Sequence, residues 1–143
     1  MSDRATLEAL LARVLEGTGP DREIDGQLAL LKGYTYEKRK GEKFPWWRRP
    51  DGFRISIWGD QNKPPPYTAS LDAALTLLPE GYWWQIANGN RRHYDLKAGA
   101  ELFFAGGPNR GDMAFSADAA TPARALIAAC IKARMEAQPS SDT

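Results

Sequence analysis

The sequence predicts an α+β domain in which helices sandwich a mainly antiparallel sheet, giving α/β/α layers. Amphipathic patterns near both termini indicate an N-terminal helical hairpin and a C-terminal helix. Between them, short aromatic-rich runs separated by turn residues are typical of antiparallel strands. The 143 residues, 43% hydrophobic and 26% charged, fit one domain over 1–137, and we expect the polar tail 138–143 to be disordered.

The N-terminal helical hairpin is predicted from apolar spacing and from helix-end signals. Five apolar residues recur three and four positions apart, on one face of a helix: Leu7, Leu10, Leu11, Val14 and Leu15. We expect Gly17 and Gly19 to end this helix in the left-handed conformation that glycine adopts readily. Pro20 and Asp21 are typical of the start of a second helix, which Gly33 ends.

The middle of the chain is predicted to combine short strands, a stiff connector and a short helix. Strands are expected at 34–36 and 53–58, the latter from its alternation of apolar and polar residues. Three prolines in 63–67 favour an extended connector. Ser70 is a suitable N-cap for a helix over 71–78.

The C-terminal half is predicted to hold four antiparallel strands, at 82–87, 92–96, 102–105 and 113–115. Asn88-Gly89 is typical of a two-residue hairpin turn. We expect the first of these strands to be central, which would place Trp83 and Trp84 in the core. The loop 106–111 lacks the Gly-Lys-Ser/Thr ending of a phosphate-binding loop, so we interpret it as a hairpin loop.

The closing helix is predicted from Thr121-Pro122, an N-cap followed by proline in the first turn, to about Ala137. Cys130 is the only cysteine, so no intrachain disulfide can form, which fits a reducing compartment. It lies in the apolar stripe of the helix, where we expect an inert buried thiol.

Overall charge and composition exclude several classes of protein. The net charge is +1, so bulk charge does not drive binding to nucleic acid or to an anionic membrane. No apolar run approaches the roughly 20 residues of a membrane span, and the N-terminus has no signal-peptide pattern. One histidine, His93, and one cysteine argue against a structural zinc site, and we expect no metal and no cofactor.

Residues 34–58 form a basic and aromatic segment that is the best candidate for a binding site. It carries seven basic and three acidic residues, a net charge of +4, and seven of the fifteen aromatic residues. We predict that it binds a protein or a nucleic acid through Lys38, Arg39, Lys43, Trp46, Trp47, Arg48 and Arg49. Neighbouring residues of a strand face opposite ways, so burying both tryptophans would be difficult if this part is extended.

Two hairpin ends offer further binding and catalytic candidates. Arg91 and Arg92 follow the Asn88-Gly89 turn, and Arg110 would join them if both hairpin tips lie at one rim. His93 and Asp95 share a strand face, and with Ser70 they suggest a small hydrolase as one alternative. Because no nucleophile elbow surrounds Ser70, we expect the protein not to be an enzyme.

Three stretches of the sequence carry a family resemblance. They are GPDREID over 19–25, PYTASLDAAL over 66–75 with PEGY at 79–82, and ATPARALI over 120–127. Together they resemble the phage ABA-sandwich domain of small phage and prophage proteins, and the last helix resembles that of NinX-type phage proteins. The resemblance implies a helix–sheet–helix sandwich and a phage origin, but no catalytic residues.

The function expected from these observations is non-enzymatic. The chain would be a phage or prophage accessory protein that binds a host or phage protein in the cytoplasm of the bacterial host, with counter-defence as one role. The alternatives are a nucleic-acid or nucleotide binder using residues 38–58 and a small hydrolase. The surplus of tryptophan is also compatible with a homodimer.

Overall fold

The computed structural model describes residues 4–51, 63–87 and 98–137. Its helices are α1 (Arg4–Glu16), α2 (Arg22–Leu31), α3 (Leu71–Leu75) and α4 (Pro122–Ala137). Its strands are β1 (Thr35–Glu37), β2 (Trp46–Arg48), β3 (Tyr82–Ala87), β4 (Ala98–Phe104) and β5 (Met113–Ala119). The predicted α+β class is confirmed. The strands predicted at 53–58 and 92–96 and the tail 138–143 lie outside the described residues.

The strands form two antiparallel sheets. β1 pairs with β2, and the larger sheet has the order β3-β4-β5. Its register places Trp84 opposite Leu102 and Leu102 opposite Phe115. An irregularity after Leu102 then brings Phe103 opposite Met113. The hairpin predicted over 102–115 is confirmed, and its strands are longer than the apolar runs that indicated them.

Helix α4 lies at the centre of the packing. Strands β4 and β5 contact it, and so do α1 and α3. Most of its residues are buried, many of them alanines, as expected for a helix that is apolar nearly all round. The sequence suggested a sheet between two helical layers. In the described residues, α4 packs against β4 and β5 and also against α1, and α1 contacts β5 as well.

The C-terminal end of α1 is held by Arg124 of α4, which is 2% exposed. Its guanidinium donates from Nε to the carbonyl oxygen of Gly19 at 2.9 Å and from Nη1 to that of Val14 at 3.0 Å. A cation here complements the helix dipole. The prediction that Gly17 and Gly19 adopt a left-handed conformation is wrong, since neither has a positive φ. Gly17 instead leaves room for the Arg124 guanidinium, which a β-carbon there would displace from its carbonyl acceptors.

The start of α2 anchors the proline-rich connector. The helix was predicted to begin at Pro20 and Asp21; it begins at Arg22, and Asp21 is its N-cap. One turn further on, the fully buried carboxylate of Asp25 accepts hydrogen bonds from Thr68 N at 2.8 Å and Thr68 Oγ1 at 2.9 Å. Arg22 pairs with Asp25 at 2.9 Å and donates to the Pro64 carbonyl at 2.7 Å. Burial raises the pKa of Asp25, although these partners oppose the shift.

Helix α3 begins where the sequence predicts and ends earlier. The Ser70 hydroxyl accepts a hydrogen bond from the Ala73 amide at 3.2 Å, which confirms the N-cap. Beyond Leu75 the chain continues in tighter turns, in which the amides of Leu77 and Leu78 bond to carbonyls three residues earlier. The predicted helix over 71–78 is therefore α-helical only in its first part.

Candidate binding site on the β1–β2 hairpin

The basic and aromatic segment folds into a hairpin, residues 34–51, built on β1 and β2. Tyr36 lies opposite Trp47, and Glu37 lies opposite Trp46. Strand β1 lies close to the strand predicted at 34–36. Strand β2 was not predicted, because the four residues between Pro45 and Pro50 are too short a pattern to recognise.

Trp47 faces inward. It packs against the hydrophobic core, and its ring lies beside Gly26 of α2, where an added β-carbon would come within 3.3 Å of Trp47 Cζ2. The Tyr36 ring covers it from the opposite strand, with ring centroids 5.0 Å apart. Trp47 is therefore the residue that holds the hairpin on the helical part of the protein.

Trp46 lies on the other face of β2, because successive strand residues point in opposite directions. It is half-buried, and its ring stacks on Phe44 with centroids 5.4 Å apart. Phe44 itself is 50% exposed. The two rings form an aromatic surface directed away from the core, which we call the Phe44–Trp46 pair.

Arg48 does not present its charge to solvent, although the sequence predicted it as a binding residue. It is buried, and its Nη2 lies 2.6 Å from both carboxylate oxygens of Glu42. Glu37 adds a longer ion pair at 3.7 Å. Because the hairpin folds Glu42 over it, Arg48 stabilises the hairpin and is not available to a partner in this conformation.

The remaining cations of the hairpin fall into two groups. Arg39 and Arg49 are exposed, but they form ion pairs with Glu37 and Asp51, respectively. The other group consists of three exposed lysines that form no ion pair with the described residues: Lys38, Lys40 and Lys43. The positive charge of the hairpin that is not paired with a described carboxylate therefore lies on these lysines, of which Lys43 directly precedes Phe44.

A second exposed aromatic surface lies on the larger sheet, where the sequence predicted core. Trp83 is 50% exposed and Trp84 is 45% exposed, so the prediction that both are buried is wrong. The reason is topological: β3 is an edge strand of the described sheet, and α4 covers mainly β4 and β5. Trp83 lies opposite Phe103, which lies opposite Met113, so one apolar row crosses all three strands.

Arg110 belongs to this second surface. Its guanidinium lies over the Trp83 ring, 5.5 Å from the centroid, in the geometry of a cation–π contact. Arg91 and Arg92, which would join Arg110 if both hairpin tips lie at one rim, lie outside the described residues. Sequence reasoning missed the apolar row of Trp83, Phe103 and Met113. The pairing of Phe103 with Met113 follows an irregularity in strand register after Leu102, which the sequence does not reveal.

Of the three catalytic candidates, Ser70 alone lies within the described residues. The Ser70 hydroxyl caps α3, and His93 and Asp95 lie outside the described ranges. Cys130 is buried, and burial raises the pKa of its thiol to about 12, so it stays protonated near neutral pH. Within residues 4–51, 63–87 and 98–137, no group of three or more His, Cys, Asp or Glu side chains is placed to hold a metal ion.

Comparisons with protein-family models, with curated proteins and with solved structures find no match to this chain. The resemblance to phage ABA-sandwich proteins therefore stays a prediction. Among the helices that the structure describes, none is long and apolar enough to cross a membrane. Because the comparisons find no match, the proposed function is based on the two exposed aromatic surfaces described above.

Proposed function

We propose that this protein is a non-enzymatic binding protein that docks on a partner protein through the outward face of the hairpin. The observation that carries the proposal is the Phe44–Trp46 pair, held outward by the inward anchor Trp47. Aromatic residues beside basic ones are enriched among the residues that dominate binding energy at protein interfaces. The anchor limits the movement of the pair, which lowers the entropy lost on binding.

The charges of the hairpin indicate the chemistry of the partner. Lys38, Lys40 and Lys43 are exposed on the same hairpin as the aromatic pair, and residues 34–51 contain six basic and three acidic residues. The complementary surface is an apolar pocket for the rings with acidic residues around its rim. We therefore propose an acidic partner protein.

The ion pairs that the hairpin arginines form within the chain favour a protein partner over nucleic acid. Arg39, Arg48 and Arg49 each pair with a carboxylate of the hairpin itself. Phosphate groups would have to compete with these intramolecular partners for the guanidinium groups that suit them best. Nucleic acid remains the alternative that the experiment below distinguishes.

The biological setting that we propose follows from the family resemblance. It is that of a phage or prophage accessory protein acting in the cytoplasm of a bacterial host, with counter-defence as one role. The exposed aromatic surfaces are also compatible with self-association, so the oligomeric state should be measured alongside binding.

The test is a pull-down from bacterial lysate, with and without nuclease, followed by a binding titration with the purified partner. The wild type is compared with a Phe44→Ala/Trp46→Ala variant. The matched control is Leu30→Ala, which removes an exposed apolar side chain from α2 and leaves the hairpin unchanged. Circular dichroism establishes that each variant is folded.

We expect a nuclease-resistant acidic protein that the double variant binds at least tenfold more weakly and Leu30→Ala binds normally. Recovery of nucleic acid alone, with an affinity that falls steeply as salt rises, would replace the proposal with the nucleic-acid alternative. Equal binding by the wild type and the double variant would show that the hairpin is not the interface.

A further inference from the structure

A cleft of about 340 Å³ opens between α2, α4 and the segment that leads into β3. This size lies at the lower end of the range of small-molecule sites, about 300–1,000 Å³. Its walls are largely apolar, with Leu28, Leu31, Leu77, Ile127 and Ile131 among the lining residues. None of the lining residues belongs to the hairpin, so this cleft is independent of the proposed protein interface.

Two cations and one acid also line the cleft: Lys32, Arg134 and Glu80. Arg134 donates a hydrogen bond from Nη2 to the Leu31 carbonyl at 3.1 Å, while its Nε is buried without an acceptor among the described residues. A buried donor without an acceptor is costly, and an anion that draws the guanidinium into the cleft would relieve that cost.

The position of Lys32 strengthens the positive character of the cleft. Its ammonium is close enough to Cys130, another lining residue, to oppose the rise in the thiol pKa. Lys32 and Glu80 are both exposed, so solvent weakens the effect of each charge, and the half-buried Arg134 is the main source of positive charge. The cleft thus combines an apolar interior with an excess of positive charge.

We propose that this cleft binds a small amphipathic carboxylate, a molecule with one apolar chain or ring and one carboxylate group. The apolar part lies against Leu28, Ile127 and Ile131. The carboxylate accepts hydrogen bonds from Arg134, with Lys32 adding electrostatic attraction. The Cys130 thiol, which stays protonated near neutral pH, forms part of the wall, and the ligand is held without a covalent bond.

The experiment measures binding of decanoate to the full chain by isothermal titration calorimetry, below the concentration at which decanoate forms micelles. Decanol is the neutral counterpart with the same chain length, and phenylpropionate tests a ring in place of the chain. Arg134→Met removes the guanidinium, and Leu77→Trp places a larger side chain at the cleft. The control is Lys132→Met, because Lys132 is on the same helix but donates to the Ser116 carbonyl of β5.

We expect decanoate or phenylpropionate to bind, decanol to bind more weakly, and Arg134→Met to lower the carboxylate affinity about 10- to 100-fold. Leu77→Trp should also lower it, whereas Lys132→Met should bind as the wild type does. If Arg134→Met does not fold, Lys32→Met and the comparison with decanol decide the role of charge.

Three results would overturn the proposal. No binding of either carboxylate would exclude this class of ligand. Equal affinity for decanoate and decanol would remove the role of Arg134 and Lys32. Binding that Leu77→Trp leaves unchanged would place the ligand elsewhere on the protein.

Discussion

The helical part of this protein and its strands both bury charged side chains, but they differ in the aromatic side chains that they leave exposed. The helices bury two charged residues, Arg124 and Asp25, and each forms hydrogen bonds with a distant segment of the chain. The strands leave Tyr36, Trp83 and Trp84 about half exposed. Burying a charge is costly unless it is paired, and exposing an aromatic ring forgoes hydrophobic stabilisation. The difference shows that the buried charges join distant segments, while the exposed rings are available for binding.

The largest effect on stability should come from Arg124→Met. This change leaves the carbonyl oxygens of Val14 and Gly19 without their donor, so we expect a loss of about 3 kcal/mol in the free energy of unfolding, measured with urea. Lys132→Met on the same helix is the control, with an expected change below about 0.5 kcal/mol. Similar values for the two variants would mean that Arg124 does not join α1 to α4.

A second large effect is expected from Trp47→Ala, the aromatic residue of the hairpin that does pack on the core. Its removal should lower the free energy of unfolding by about 2–3 kcal/mol, because the ring fills space beside Gly26. Trp46→Ala, next to it, should lower the free energy of unfolding by less than about 1 kcal/mol. A larger loss of unfolding free energy in Trp46→Ala than in Trp47→Ala would show that Trp47 is not the anchor of the hairpin.

The buried carboxylate should make stability depend on pH with a defined sign. Because burial raises the pKa of Asp25 in the folded state, the native protein binds this proton more tightly than the unfolded chain does. The contribution of Asp25 to stability is therefore present below the ordinary pKa of an aspartate and is lost as pH rises through the raised value.

The measurement for Asp25 is urea denaturation of the wild type and Asp25→Asn between pH 4 and pH 7. We expect the stability of the wild type, relative to the variant, to be greater at pH 4. The effect should be smaller than that of Trp47→Ala, because Thr68 and Arg22 partly offset the burial. A relative stability that increases with pH would contradict the assignment.

The smallest effect is expected on the exposed face of the large sheet. A double-mutant cycle with Trp83→Ala and Arg110→Ala should give a coupling energy of about 0.5–1 kcal/mol, the value of an exposed cation–π contact. Each single change should leave the fold intact by circular dichroism. A loss of several kcal/mol from Trp83→Ala alone would show that this ring is a core residue after all.

The prediction from sequence was most successful where a few neighbouring residues decide the structure. The N-cap Ser70 and the first helical residue Pro122 lie where the sequence placed them, and α2 begins within two residues of its predicted start. The opposite orientation of Trp46 and Trp47 also follows from strand alternation, once β2 exists. These features depend on local backbone geometry and on hydrogen bonds that span only three or four residues.

The candidate site was predicted only in outline. The sequence located the basic and aromatic segment, but it could not show that Arg48 is buried under Glu42. Nor could it place Arg110, which follows β4, over the Trp83 ring of β3. In both cases the partner is chosen by how the hairpin or sheet folds, and residue type alone does not decide it.

By itself, the sequence determined the α+β class, the helix starts and the basic and aromatic composition of residues 34–51. Only the tertiary structure decided that α4 lies in the middle, that β3 is an edge strand of the described sheet, and that Arg124 holds a carbonyl 105 residues away. The physical reason is the sequence distance over which each interaction acts. Caps and strand alternation act over a few residues, whereas burial depends on which distant segments pack together.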